Sequence, residues 1–384
     1  MVLQNIAERI GHTEISRRDL CKILAAQITV MFLGGVACNP NESSANTTPI
    51  IEPPTRTPSE TLPKSIELRI SVDSSQLERV DFLDIPHTPD THTSFIQDPQ
   101  DPTKHEVYFS GGIRGYRAVW QITETGDITE ITQPEIISAP DTSIESEYGQ
   151  LGYSAVSSVL APTQAIRLGF LHQEFHTSAG YFPFHAQIAL TISRDSGQNW
   201  TAPLPIVTDT YPEETPDRVT GVGQPSAILI GEYVYLYHTE WLHDKHSIQI
   251  KRALVDRVAN PDAWESLPSA ASLAPSEHNG VPDFYKALPG IQYLPTQKKY
   301  LLSYESSAGF FVVISEDGES WGEPQLIFQQ KPHNLRERGD VWYSYPTLLP
   351  TPGDEMSGLL ICSQGVWMEE PHKMVKMPYT VQTA

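Results

Sequence analysis

Cysteine, positive charge and long apolar runs are all scarce in this 384-residue chain. Two of its three cysteines, Cys21 and Cys38, fall near the N-terminus, so Cys362 is left without a partner and a disulfide framework is excluded. Only 26 Lys and Arg stand against 47 Asp and Glu, a net charge of −21, with no dense basic run. Binding to a phosphate backbone is therefore disfavoured. The uncharged run from Ile23 to Ala37 has 15 residues, too few at about 1.5 Å per residue for a comfortable bilayer span. Helical periodicity is missing too: no long amphipathic pattern occurs from Ile66 onward. What the chain does have is aromatic residues, 16 Tyr, 12 Phe and 7 Trp within 39% hydrophobic content, ample for a packed core.

Residues 1–38 read as an export signal. "SRRDLCK" (Ser16 to Lys22) precedes the 15-residue apolar run, which suits a signal h-region. The segment resembles a twin-arginine signal with Arg17 and Arg18 as the pair, Leu20 and Cys21 departing mildly from the usual Phe and Leu. "GVAC" resembles a lipoprotein cleavage box in which Cys38 becomes the lipidated first residue; ordinary cleavage after Ala37 is the alternative, because Gly35 stands where Leu is usual. In residues 39–65, Pro, Ser and Thr make up 15 of 27 positions, the composition of a disordered linker. The expected location is the cell envelope, lipid-anchored or else periplasmic or extracellular. The membrane is then a partner through lipid alone, and the chain is expected to be a monomer.

Residues 66–384 are filled by short β-rich runs separated by Gly, Pro, Asp and Asn clusters. Five read as second strands: "HEVYFSGG", "IRLGFLHQE", "EYVYLYHTE", "KKYLLSYE" and "GLLICSQ". Each has a first-strand candidate before it and a third after it. Glu174, Glu240, Glu305 and Gln364 close corresponding second strands, 66, 65 and 59 residues apart. Five such groups of about 64 residues, without helices, imply an all-β fold, a five-bladed β-propeller. "SIELRISVD" (Ser65 to Asp73) alternates like a strand ahead of the first blade. It is expected to pair with the last blade as its outermost strand and close the ring.

Two third strands run into similar turns. "SRDSGQNW" carries Ser193, Asp195, Gly197 and Trp200; "SEDGESW" carries Ser315, Asp317, Gly318 and Trp321. They match the Asp-box S-x-D-x-G-x-x-W of sialidases and related propellers, the second with one residue fewer. Their carboxylates are expected to accept turn N–H groups, their glycines to take positive φ and their tryptophans to pack on the blade. Trp264 holds the same place in a blade that lost the box. These residues mark structure rather than chemistry.

The ligand site of such a fold lies on its axis. "HQE" (His172 to Glu174) and "HTE" (His238 to Glu240) repeat at the ends of second strands, and "SYE" keeps Glu305 there. Incoming loops add Asp84 or Asp90, His92, Gln224, Asp283, Tyr285, Arg338, Trp342, Tyr343 and Tyr345. Acids, amides and rings together suit sugars, the carboxylates gripping hydroxyls and the rings stacking on the apolar sugar face.

Blade count and Asp-boxes together resemble the five-bladed, glycoside-hydrolase-like propellers of arabinanases, β-xylosidases and invertase-type enzymes, over Ile66 to Ala384. That resemblance implies an aspartate base from the first blade, where Asp84 or Asp90 matches, a second aspartate tuning pKa, and a strand-end glutamate as acid. The invertase signature is absent. True sialidases share the Asp-box but have six blades and an arginine triad, for which Arg114, Arg117 and Arg338 are the axial-loop candidates. A six-bladed sialidase-type propeller is the alternative fold, and an exo-sialidase the alternative enzyme. The expectation is a glycoside-hydrolase-like propeller acting on a glycan by carboxylate acid–base hydrolysis; a non-catalytic carbohydrate-binding propeller lipoprotein is the competing class.

Within it Glu174 is the expected general acid, its pKa raised through desolvation by the preceding "GFL". Asp283 is the expected base, and Glu240 tunes or binds. His172, His238, His92, Gln224, Tyr285, Glu305, Arg338, Trp342 and Tyr345 are expected to contact the sugar. No cofactor and no metal site is expected; on a strand, His172 and His176 of "HQEFH" would stand about 13 Å apart.

Overall fold

The computed structural model describes residues 68–383, apart from 82, 147, 177–182, 210–218, 243–244, 269–272, 274–275, 279–280, 284, 333–334 and 368. The export segment with Cys38, and the linker, lie outside the described residues. Nearly everything described is strand, and the architecture is the β-propeller expected. Strand pairing groups the long strands into five antiparallel meanders. Their first strands are Ser94–Gln97, Gly149–Leu160, Thr220–Ile230, Lys286–Leu294 and Val341–Thr351. The second strands are Lys104–Gly111, Arg167–His176, Tyr233–Leu242, Lys299–Ser306 and Asp354–Val366. Arg114–Ile122, Phe184–Ser193, Lys245–Leu254, Gly309–Ser315 and Glu369–Thr383 are the third.

A fourth, outer strand is short in every case, and in the fifth meander it comes from the opposite end of the chain. Leu68–Val72 pairs antiparallel with Glu369–Thr383, from Leu68 opposite Thr383 to Val72 opposite Tyr379. The alternation in "LRISV" buries Leu68 and Ile70 on the core shared with Phe310, Leu360 and Val375. The expected closing strand is thus where the sequence placed it.

Successive meanders are stitched together by hydroxyl groups. Ser94 Oγ accepts the Val159 N–H at 3.0 Å, Ser158 Oγ the Ala227 N–H at 3.0 Å, and Ser226 Oγ the Ile291 N–H at 3.1 Å. Ser303 Oγ donates to the Pro346 carbonyl at 2.7 Å, and the Thr93 N–H donates to Thr347 Oγ1 at 3.3 Å, which returns the circuit to the first meander. Each bond satisfies a buried group that an isolated meander would leave bare. Where the second and third meanders meet in parallel, Ala186 lies opposite Gly221 (φ 94°), and a Cβ there would lie 2.1 Å from the Ala186 carbonyl oxygen.

The two S-D-G-W turns join third to fourth strands, as the sequence implied. Asp195 Oδ1 accepts the Ser193 hydroxyl and the Asn199 N–H, both at 2.8 Å. Asp317 Oδ1 accepts the N–H groups of Glu319 and Ser320 at 2.8 and 2.7 Å. Gly197 and Gly318 take φ of 83° and 78°. The tryptophans reach across to the preceding meander: Trp200 meets Tyr108, Trp264 meets Phe170 and Trp321 meets Tyr237, all edge to face with centroids 6.0, 6.2 and 5.6 Å apart. Tyr108, Phe170 and Tyr237 occupy one register, opposite Ser94, Ser158 and Ser226. These acids and rings hold neighbouring meanders together.

Candidate functional site

Strand register decides which side chains share the axis. Two residues beyond Tyr108, Phe170, Tyr237, Ser303 and Ile361 come Ser110, His172, Thr239, Glu305 and Ser363. All five are buried polar residues at one level of the ring. Glu174, Glu240 and Glu305 are therefore not equivalent, contrary to the reading by spacing: Glu305 sits at this level, Glu240 one residue past it and Glu174 two. Because strand side chains alternate, one residue turns Glu240 to the opposite sheet face from Glu305. The first strands of the third, fourth and fifth meanders share one bulge at this level, where Gln224–Pro225, Leu288–Pro289 and Tyr345–Pro346 each set two residues against one.

The residue before proline takes positive φ in each bulge, 51° at Gln224, 57° at Leu288 and 61° at Tyr345. Such backbone persists only when its surroundings hold it. The preceding meander does so. Thr239 Oγ1 accepts the Leu288 N–H at 2.8 Å, His172 Nδ1 accepts the Gln224 N–H at 3.4 Å, and Ser344, beside Tyr345, donates its hydroxyl to Glu305 Oε2.

With Nδ1 accepting, His172 presents Nε2–H to Glu174 Oε1 at 2.8 Å. His176 Nε2 reaches Glu174 Oε2 at 3.1 Å, so the carboxylate is clamped between two imidazoles turned in toward it. Burial alone would push the Glu174 carboxyl up, but the hydrogen bonds and charge of both histidines outweigh it, and its pKa is lowered. The expected rise from "GFL" is thus reversed. Glu174 is built to stay ionised.

From Glu174 a run of phenols extends, Tyr153 buried and Tyr345 and Tyr285 half-buried. Tyr153 lies opposite Glu174 and donates its hydroxyl to the Asp90 carbonyl at 3.2 Å. Tyr345 donates to Asp90 Oδ1 at 3.1 Å. His372 Nε2 stands 3.8 Å from the same carboxylate oxygen and 3.1 Å from the Pro89 carbonyl. Tyr345 is in electrostatic reach of Tyr285, and Tyr285 of Glu305. Burial raises all three phenols well above their ordinary value, with Asp90 adding to it at Tyr153 and Tyr345 and Glu305 at Tyr285. At the far end burial pushes the Glu305 carboxyl up to about 7, against the opposing Ser344 hydrogen bond and the Arg336 charge. Glu174, Asp90 and Glu305, from three meanders, are thus linked around one centre, one held ionised and one held protonated to near neutrality.

The other sequence candidates divide. His92 and His238 are buried and held neutral, desolvation driving both down to about 3. Gln224 is buried, and its Oε1 has no partner among the described residues. Trp342 packs edge-on to His372, 5.4 Å between centroids, one layer behind Asp90. Tyr343 donates its backbone N–H to Gln330 Oε1 at 3.0 Å. Glu240 is half-buried, its pKa raised by burial and by Asp209, with Ser247 at 3.4 Å. Arg338 and Arg114 are exposed, and Arg117 faces Glu106 at 3.8 Å, so these arginines form no triad on the axis. The side chain of Asp283 lies outside the described residues. Arg336, which sequence reasoning passed over, is the guanidinium in reach of Glu305 and Tyr285; only its nearness to Arg338 in "NLRERGD" could have drawn attention to it. Among the described residues no cluster of three or more His, Cys, Asp or Glu is arranged to hold a metal ion.

No family model matches the sequence, and no curated protein matches it either. Solved structures do resemble the fold. A family 117 glycoside hydrolase of the marine bacterium Zobellia galactanivorans superposes with a TM-score of 0.51 at 10% identity, over 82% of this chain and 90% of that one. An endo-arabinase of Bacteroides thetaiotaomicron gives 0.44 at 12% identity, over 78% and 95%. The α-L-arabinofuranosidase of Podospora anserina, in complex with cellotriose, gives 0.44 at 14% identity, over 79% and 93%. At 10% identity the likeness to the first of these is one of fold alone.

Proposed function

We propose that this protein is an exported glycosidase whose five meanders are the blades of one propeller and whose axial centre cleaves a glycan. The observation that carries the reading is the meeting of Glu174, Asp90 and Glu305 from separate meanders on one run of tyrosines, with Glu174 and Glu305 driven in opposite directions. Glycoside hydrolysis needs one protonated and one ionised carboxyl facing the same bond. Glu305 is the proton donor, giving its proton to the glycosidic oxygen as the bond to the anomeric carbon breaks. Asp90, oriented by Tyr345, takes a proton from the water whose oxygen bonds to that carbon. Glu174, clamped by His172 and His176, keeps a fixed negative charge nearby that favours the positive charge developing on the sugar. These roles replace Glu174 as acid, because its environment holds the wrong protonation state.

Cleavage and binding assays on a glycan panel test the proposal. Glu305→Gln and Asp90→Asn preserve shape, so each should lower turnover by about two orders of magnitude or more while each variant still unfolds in one cooperative transition. Full turnover in both variants overturns the assignment. A wild type that binds glycans and cleaves none makes the protein a carbohydrate-binding propeller.

A further inference from the structure

The run of phenols leads to a cation with a buried donor that no carboxylate among the described residues accepts from. Arg336 lies in the loop entering the fifth meander, partly buried, with its guanidinium carbon 5.7 Å from the centre of the Trp367 ring. Its Nε–H donates to the Lys331 carbonyl at 3.2 Å, but its Nη2 is buried with no hydrogen-bond partner among the described residues. Asp340 is in electrostatic reach, but its hydrogen bonds are made elsewhere: it accepts from Lys331 Nζ and from the Glu337 N–H, both at 2.6 Å. Those bonds fix the loop and present Arg336 ready-made. Glu305 is in electrostatic reach but is turned to the Ser344 hydroxyl.

Burying a guanidinium without a partner is unfavourable, and burial accordingly pulls the Arg336 pKa down. A structure that keeps such a group beside its centre leaves room for the anion to come from the ligand. The guanidinium fork is planar and matches a carboxylate bidentately. Elsewhere the chain is strongly acidic, net −21, and would repel a negatively charged glycan lacking a dedicated cation.

We infer that Arg336 binds a carboxylate of the sugar, so that the glycan recognised on this axis is an acidic one containing uronic acid. The inference rests on the glycan-acting reading above and names its substrate class. Calorimetric titration of the whole protein with trigalacturonate, neutral galactotriose and a sulfated galactotriose tests it. Wild type should bind trigalacturonate about 10- to 100-fold more tightly than galactotriose, the range expected of a charged hydrogen bond. Arg336→Gln should erase that preference, and Arg336→Lys, which keeps the charge without the fork, should retain part of it; a melt of each variant checks that the loop stays folded. Equal affinity for acidic and neutral trisaccharides, no binding of any of them, or a preference for the sulfated one overturns the inference, as does a uronate preference that survives in Arg336→Gln. Uronate binding without cleavage would leave this inference standing and remove the hydrolytic one. Cleavage of neutral glycans alone would do the reverse.

Discussion

Replacing Glu305 with Gln should change how the stability of the protein depends on pH, and in a direction the structure sets. Burial raises the folded-state pKa of Glu305 from its ordinary value of 4.5 to about 7, with Ser344 and Arg336 opposing. The folded state therefore holds a proton that the unfolded chain releases. Stability from this group is fully present below about 4.5 and is lost as pH rises through about 7. At about 1.4 kcal/mol per pKa unit, the total is on the order of 3 kcal/mol, all of it gone by about pH 8 to 9. Gln does not titrate. Denaturant unfolding of wild type and Glu305→Gln from pH 5 to 9 should give similar stabilities at pH 5, where the protonated carboxyl resembles the neutral amide, and separate as pH rises, wild type falling relative to the variant by about 3 kcal/mol across that window. Curves that stay parallel from pH 5 to 9 would refute the reasoning, because they would mean that Glu305 titrates alike in both states.

Asp195→Ala and Asp317→Ala each strip several turn hydrogen bonds and should cost about 1–2 kcal/mol in denaturant unfolding without touching turnover; lost turnover in a fully folded variant would return these acids to the chemistry. Leu68→Asp with Ile70→Asp puts two charges into the core beneath the closing strand and should abolish the single cooperative unfolding transition; an unaltered melt would argue against ring closure by this segment. Intact-mass analysis of the native protein should show a chain starting at Cys38 that partitions with membranes, and a retained Met1 would end the export proposal.

Much of the strand order was legible because alternation and turn residues repeat along the chain, and the tryptophans at 200, 264 and 321 mark equivalent turns by spacing alone. The site was harder. Counting residues aligned three glutamates that strand pairing sets at three different levels, and in a strand a single slip reverses the face. A signal was present: "QPS", "LPG" and "YPT" each put proline, which cannot donate to a ladder, inside a first strand. The lowered Glu174 pKa was illegible for a different reason, since only the fold reveals that His172 and His176 both turn toward it. Asp90 was among the candidates because the incoming loop of the first meander had to reach the axis. Arg336 carries no pattern at all; its role comes from Asp340 and Trp367 shaping an irregular loop.

The strand that closes the ring also sets an order in time. Leu68 and Thr383 lie opposite each other although 383 − 68 = 315 residues separate them. Bringing two points so far apart together costs loop entropy of about (3/2)RT ln n, on the order of 5 kcal/mol, before the contact gives anything back. Contacts within a meander span only a few tens of residues and suffer far less, so they can form early and independently. The hydrogen bonds between Leu68–Val72 and Glu369–Thr383 are then the last to be made, and the Leu68 and Ile70 faces of the core stay open to water until they are.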